Sequence, residues 1–234
     1  MLAVEKIDDF SDVRNKVWCV HCGRPLSGVL TNRDHVPTKA LLKRPLPHHV
    51  PQVPVCSDCN NGFSLDEAYL ACFLSCVLSG STDPQAQVIA AASRLLHRSP
   101  ALRERLELAR VTDQTGNYIW IPEAERVDRV VLKNARGHAF FELGEPMRDD
   151  PTSVVHMSLA SMPPELRQGF EDVAWHVWPE VGSRLMSRLA TGEDMVDGWI
   201  VVQPAVYRYA VLQDDGIVVR SVIRNYLATE TRWA

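Results

Sequence analysis

The sequence predicts an α+β protein: a cysteine-pinned N-terminal module, a helical stretch, and a mixed α+β C-terminal region that closes in an antiparallel sheet. Three observations carry this. Two Cys-x-x-Cys pairs, Cys19-Val-His-Cys22 and Cys56-Ser-Asp-Cys59, bracket a proline-rich segment. Helical spacing of apolar residues dominates from Ser64 to Leu143. From Gly198 onward the chain reads as short strands, with Asp214-Asp-Gly216 as a hairpin turn.

Taken in order, residues 1–16 read as a short capped helix and a lead-in segment. Residues 17–62 hold six of the fifteen prolines (Pro25, Pro37, Pro45, Pro47, Pro51 and Pro54). That density leaves little regular structure and calls for something other than a core to pin the fold. Ser64-Leu-Asp-Glu67 has the form of a capping box. The helix Leu65–Leu78 behind it is apolar nearly all round, so it is expected to be buried, and Gly80-Ser-Thr-Asp-Pro84 ends it. Gln85–His97 and Pro100–Ala109 read as helices and Asn117–Pro122 as a short strand. Ala124–Leu143 reads as a helix, Ser153–Leu159 as a strand, and Pro163–Val173 as a helix. The expected domains are 1–80, a connector over 81–112, and 113–234.

Bulk composition excludes some classes. The 234 residues are 46% hydrophobic, ordinary for a folded chain, and the net charge of −4 rules out a uniformly basic nucleic-acid coat. Met1–Phe10 lacks an apolar signal core, and the longest apolar run, Ala68–Leu78, is about half the ~20 residues that span a bilayer. A cytoplasmic location and no membrane partner are the expectation. There thiols stay reduced, so the cysteines are candidates for metal or core.

The two Cys-x-x-Cys pairs, 33 residues apart, suit one tetrahedral zinc ion with a substructure inserted between the knuckles. Cys72 and Cys76, four apart on the apolar helix, read as core. The insertion carries Asp34-His35, a carboxylate beside an imidazole. Adjacent residues of an extended chain point to opposite sides, so one can face a metal and the other a substrate. From Val13 to Val53 there are seven Lys or Arg and one acid, with His48 and His49 in addition. Within this basic strip Arg33, Lys39, Lys43 and Arg44 are the expected nucleic-acid contacts.

A Cys-x-x-Cys, then Asp-His-x-Pro, then Cys-x-x-Cys-Asn leading into a helix, resembles the zinc-stabilised HNH endonucleases over about residues 17–75. The resemblance implies a ββα-metal fold, His35 as general base for a water nucleophile, and Asp34 with Asn60 as ligands of a catalytic Mg²⁺ or Mn²⁺. Asn61 is a further candidate ligand. Cys19, Cys22, Cys56 and Cys59 would hold a separate structural zinc. The substrate implied is nucleic acid, DNA in the first instance, in a setting such as phage defence. The family's bracing asparagine before the second knuckle is replaced here by Pro51, with Gln52 beside it. The alternatives are an inactive zinc-knuckle module that binds nucleic acid or a partner protein, and a thiol-based redox or zinc sensor. The C-terminal half suggests docking, self-association or a protein partner. Trp175, Trp178, Trp199 and Trp233 read as core more readily than as stacking platforms.

Overall fold

Prolines and turn residues leave the inserted segment only enough regular backbone for one hairpin. β1 (Thr31–His35) pairs antiparallel with β2 (Gln52–Cys56), with Asp34 opposite Val53 and His35 opposite Gln52. The computed structural model describes residues 10–114, 116, 118–173 and 177–234. β2 runs without a gap into α1 (Ser57–Gly62), and α2 (Ser64–Ser79) follows. Next come α3 (Ala90–Arg98), α4 (Pro100–Leu108), and the hairpin of β3 (Arg110–Thr112) with β4 (Tyr118–Trp120). α5 (Ala124–Leu143) is followed by β5 (Ser153–Ser158), α6 (Pro164–Glu171) and α7 (Arg184–Thr191). The chain closes with β6 (Met195–Val196), β7 (Trp199–Gln203), β8 (Tyr207–Gln213), β9 (Ile217–Ile223) and β10 (Leu227–Trp233).

The chain is a mixed α+β protein whose C-terminal part forms a six-stranded antiparallel sheet, in the order β5-β10-β9-β8-β7-β6. Two compact units emerge. One joins Met1–Gly62 to Val131–Ala234, and the other is Phe63–Val130. The cuts thus fall at 62/63 and 130/131 rather than at 80/81 and 112/113. The reason is physical: the inserted hairpin has little core of its own and takes one from the last part of the chain.

In the discontinuous unit both faces of the sheet are covered. Alternate residues of β8 take opposite sides. Tyr207 and Tyr209 meet His138 of α5, whose ring stacks on Tyr209 at a centroid distance of 3.6 Å. Ala210 and Leu212 join a cluster with Phe170, Trp199, Val218 and Val222. The Asp214-Asp-Gly216 turn closes β8 on β9 as expected, with Asp215 and Gly216 at positive φ. Arg224 and Asn225, both left-handed, make the next turn. The hairpin β1–β2 packs through Val36, Val53 and Val55 on Phe140 and Phe141 of α5. Gly137 makes that approach possible: a Cβ there would stand 2.4 Å from a Val36 methyl.

In the second unit α2 buries Tyr69 through Cys76, as its all-round apolar sequence requires. Over Ser57–Ser79 the chain has the length and composition of a membrane span, and half of it is buried in the structure, as in a core helix. Cys72 and Cys76 are buried and uncrosslinked, and burial pushes both thiols up to about 12. Asp66 is buried between Arg126 (3.3 Å) and Arg129 (2.9 Å).

Some local expectations shift. α2 starts at Ser64 itself, with Phe63 in the cap position, so the Ser-x-x-Glu pattern lies one place inside the helix. Residues 85–89 are not α-helical. Pro84–Ala86 form a single 3-10 turn capped by Asp83, and the Gln87 side chain donates to the Ser81 and Asp83 carbonyls and holds the loop extended. Of the expected N-terminal helix, residues 1–9 lie outside the described residues, and the chain from Asp12 to Lys16 forms turns. Trp175 also lies outside them. Trp199 and Trp233 are core, whereas Trp178 is exposed.

Candidate metal centre and adjoining basic hairpin

The first knuckle is shaped by its own backbone. Gly23, at φ +67°, lets the chain reverse after Cys22, and its N–H returns to the Cys19 carbonyl at 2.9 Å. Val20 N–H donates to the Pro54 carbonyl, which ties this knuckle to β2. The second knuckle sits where β2 becomes α1, and the Cys59 N–H points at Cys56 Sγ (3.5 Å). The Cys56 N–H points at Cys19 Sγ (3.4 Å).

The four sulfurs of Cys19, Cys22, Cys56 and Cys59 lie within 4.8 Å of one another. A tetrahedral zinc with Zn–S bonds of about 2.3 Å places its sulfurs about 3.8 Å apart. Cys22 and Cys56 Sγ are 3.8 Å apart. The quartet is therefore compatible with a structural zinc ion. Among the described residues it is the one group of three or more His, Cys, Asp or Glu side chains arranged to share a metal. At Cys22 burial opposes ionisation, but the Arg24 N–H and the neighbouring thiols outweigh it and bring the thiol down to about 7.

Asp34 and His35 take opposite sides of β1. Asp34 is buried, and its oxygens are engaged. Lys133 Nζ lies 2.9 Å from Oδ2 and 3.0 Å from Oδ1, and His21 Nε2 lies 3.0 Å from Oδ2. Burial alone would raise the Asp34 carboxyl, but the His21 hydrogen bond and the charge of Lys133 hold it below the usual carboxylate range. Burial also keeps His21 below its ordinary value, against the pull of Asp34. The ion pair is thus Asp34–Lys133, and neutral His21 adds an N–H donor. His35 is half-buried. Burial first, then the positive charge of Lys39, push its ring down to about 4.

α1 carries Asn60, half-buried, and Asn61, exposed. Arg33, Lys39, Lys43 and Arg44 are all exposed along the hairpin and the loop after it. That loop is braced from elsewhere in the same unit. Pro51 accepts from the Val36 N–H through its carbonyl (2.9 Å), and Asn134 Oδ1 of α5 accepts from the buried Thr38 N–H (3.2 Å). Gln203 of β7 clasps Lys43 by both its N–H and its carbonyl. Arg136 donates to the His21 carbonyl at 2.8 Å.

No known family profile, curated protein or solved structure matches this chain. The residues sequence reasoning missed are His21, Lys133, Asn134 and Arg136. The signal for them was present in part: "LKNARGH" places four polar residues among the apolar positions of α5 that face a core, where a buried polar group needs a partner.

Proposed function

We propose that the protein is a metal-dependent endonuclease of the HNH type, hydrolysing phosphodiester bonds of nucleic acid, with DNA as the expected substrate. One arrangement carries the reading: an antiparallel hairpin runs directly into a helix, Asp34-His35 closes its first strand, Asn60 follows the last cysteine, and the four cysteines gather at the base. The exposed basic side chains of the hairpin and its loop give it a surface that attracts phosphate. The quartet holds zinc as a structural ion.

In this reading His35 takes a proton from a water molecule as the water oxygen bonds to phosphorus and the bond to the leaving sugar oxygen breaks. Asp34 and Asn60 would hold a divalent ion, whose charge supports the oxygens that become more negative as the reaction proceeds. Asp34 would serve as a ligand only by giving up its pair with Lys133, which would then have to leave its buried position. Lys39, Lys43, Arg44 and Arg33 orient the strand through its phosphates.

A second reading is favoured by the Asp34–Lys133 pair itself: a permanent lysine counter-ion makes a second metal unnecessary, and the module then binds nucleic acid or a partner protein without cutting. A plasmid-nicking assay in Mg²⁺ or Mn²⁺ decides between them. Cleavage by the wild type that falls about 10²–10⁴-fold in His35→Ala, with zinc content and melting unchanged, supports the nuclease. Retained DNA binding without cleavage in either protein supports the binding module.

A further inference from the structure

A cavity of about 340 Å³ lies between the proline-rich loop before β2 and the C-terminal sheet, entirely within the discontinuous unit. Its walls are mixed: Pro47 and Pro51 on the loop side and Val202 on β7 are apolar, while His48, His49, Arg188 and Asp194 make the larger, polar share. Nothing derived so far uses it. Its loop wall is continuous with the strand that pairs His35, since Gln52, the partner of His35 in register, follows Pro51 directly.

The polar part of the lining is a built donor–acceptor pair. Arg188 is 6% exposed. Its Nε faces both Glu142 oxygens at 3.2 Å, and its Nη1 lies 3.0 Å from Asp194 Oδ2. Nη2 has no protein hydrogen bond among the described residues. Tyr209 fixes Glu142 from behind with a 2.5 Å bond. Asp194 is half exposed and sits at φ +57°, a left-handed conformation held in place by Arg188. A guanidinium N–H thus stands beside a carboxylate in a slot whose apolar surfaces are Pro47, Pro51 and Val202.

These features choose among ligands. Two carboxylates already balance Arg188, so the lining is no trap for a bare anion. A neutral planar group presenting an acceptor next to a donor fits it, and such an edge is what nucleobases carry. Pockets that read extruded bases pair edge hydrogen bonds with apolar walls against the ring faces. The volume lies in the range of small-ligand sites, which are about 300–1,000 Å³. His48 and His49, both exposed, flank the opening on the side of the basic loop.

We propose that this cavity receives one unpaired nucleobase of the substrate, with its hydrogen-bonding edge on Arg188 and Asp194. The proposal rests on the nucleic-acid reading above and adds a requirement to it: the base must be single-stranded or extruded, because a base stacked within a duplex cannot enter a slot.

The test titrates the full chain with the four nucleoside 5′-monophosphates, with ribose 5-phosphate and with inorganic phosphate, by calorimetry and by the NMR signals of the His48 and His49 rings. At least one mononucleotide should bind at least tenfold tighter than ribose 5-phosphate. Val202→Trp, which fills the slot from a partly exposed strand position, should abolish that preference at unchanged melting temperature. Asp194→Asn, at a half-exposed site, should change which base is preferred. Equal binding of nucleotides and ribose 5-phosphate overturns the proposal. So does an unchanged preference in Asp194→Asn, which serves if Val202→Trp fails to fold. Base-dependent binding in a protein that cuts no nucleic acid removes the nuclease reading and keeps the cavity. Cleavage without base-dependent binding removes the cavity alone.

Discussion

Lys133 Nζ lies 2.9 Å from Asp34 Oδ2, and the two side chains are 1% and 9% exposed. Their positions in sequence are 99 residues apart. This buried pair decides what the Asp-His dipeptide can do, because a carboxylate that is already neutralised and enclosed is a different chemical object from a free one. Removing one partner of such a pair leaves the other charge buried and alone, at a cost of about 3–5 kcal/mol. Lys133→Met should therefore lower stability to denaturant by that order, and Asp34→Asn combined with it should recover a large part. Additive losses in the double variant would show that the two do not act as a pair.

Metal content gives the second prediction. Purified protein should carry about one zinc per chain, and Cys56→Ser should lose both the zinc and the folded hairpin, since structural zinc contributes on the order of 10 kcal/mol in small modules. Cys72→Ser, in the core of α2, should keep its zinc. Elemental analysis of folded protein without zinc would remove the metal centre.

The exposed basic loop makes a salt-dependence prediction. Each phosphate contact contributes about 0.9 to the slope of log affinity against log salt on duplex DNA. Lys43→Ala with Arg44→Ala should weaken DNA binding and flatten that slope by about 1.8, leaving zinc content unchanged. Fluorescence anisotropy from 50 to 300 mM salt measures it, and an unchanged slope would place the DNA elsewhere.

Stability should also fall in acid through His138. It is fully buried against Tyr207 and Tyr209, and burial, with Arg188 nearby, holds its ring well below 6.5. The folded ring is then neutral where the unfolded one takes a proton. Its contribution is complete above about pH 6.5 and is lost as pH falls below that, at about 1.4 kcal/mol per pH unit until the folded ring titrates. Chemical denaturation of wild type and His138→Gln between pH 7 and 5 should show a slope shallower by one proton in the variant.

What was legible in the sequence was local. The cysteine spacing, the uniformly apolar α2, the periodicity of α5 and the Asp-Asp-Gly turn each announce themselves within a few residues. The Arg224-Asn225 turn does not, because an arginine at positive φ carries no turn signature and is held there by the paired strands on either side. The surroundings of Asp34 were hidden for a similar reason. Lys133, Asn134 and Arg136 reach partners 96 to 115 positions away, and no periodicity connects a lysine on a helix to a carboxylate on a distant strand. Pro51, in the place of the expected bracing asparagine, looked like a missing part. In the structure the bracing groups are its own carbonyl and the amide of Asn134.

The discontinuous unit has a consequence for synthesis. A ribosome releasing about 5–20 residues per second needs roughly 5–20 s to pass from Asp34 to Lys133, and then longer to deliver the sheet. Both cysteine knuckles are complete once Cys59 has been added, well before the carboxylate receives its lysine. The nascent chain can thus bind its metal early but completes the surroundings of Asp34-His35 only near the end of translation, so prematurely terminated products lack the assembled site.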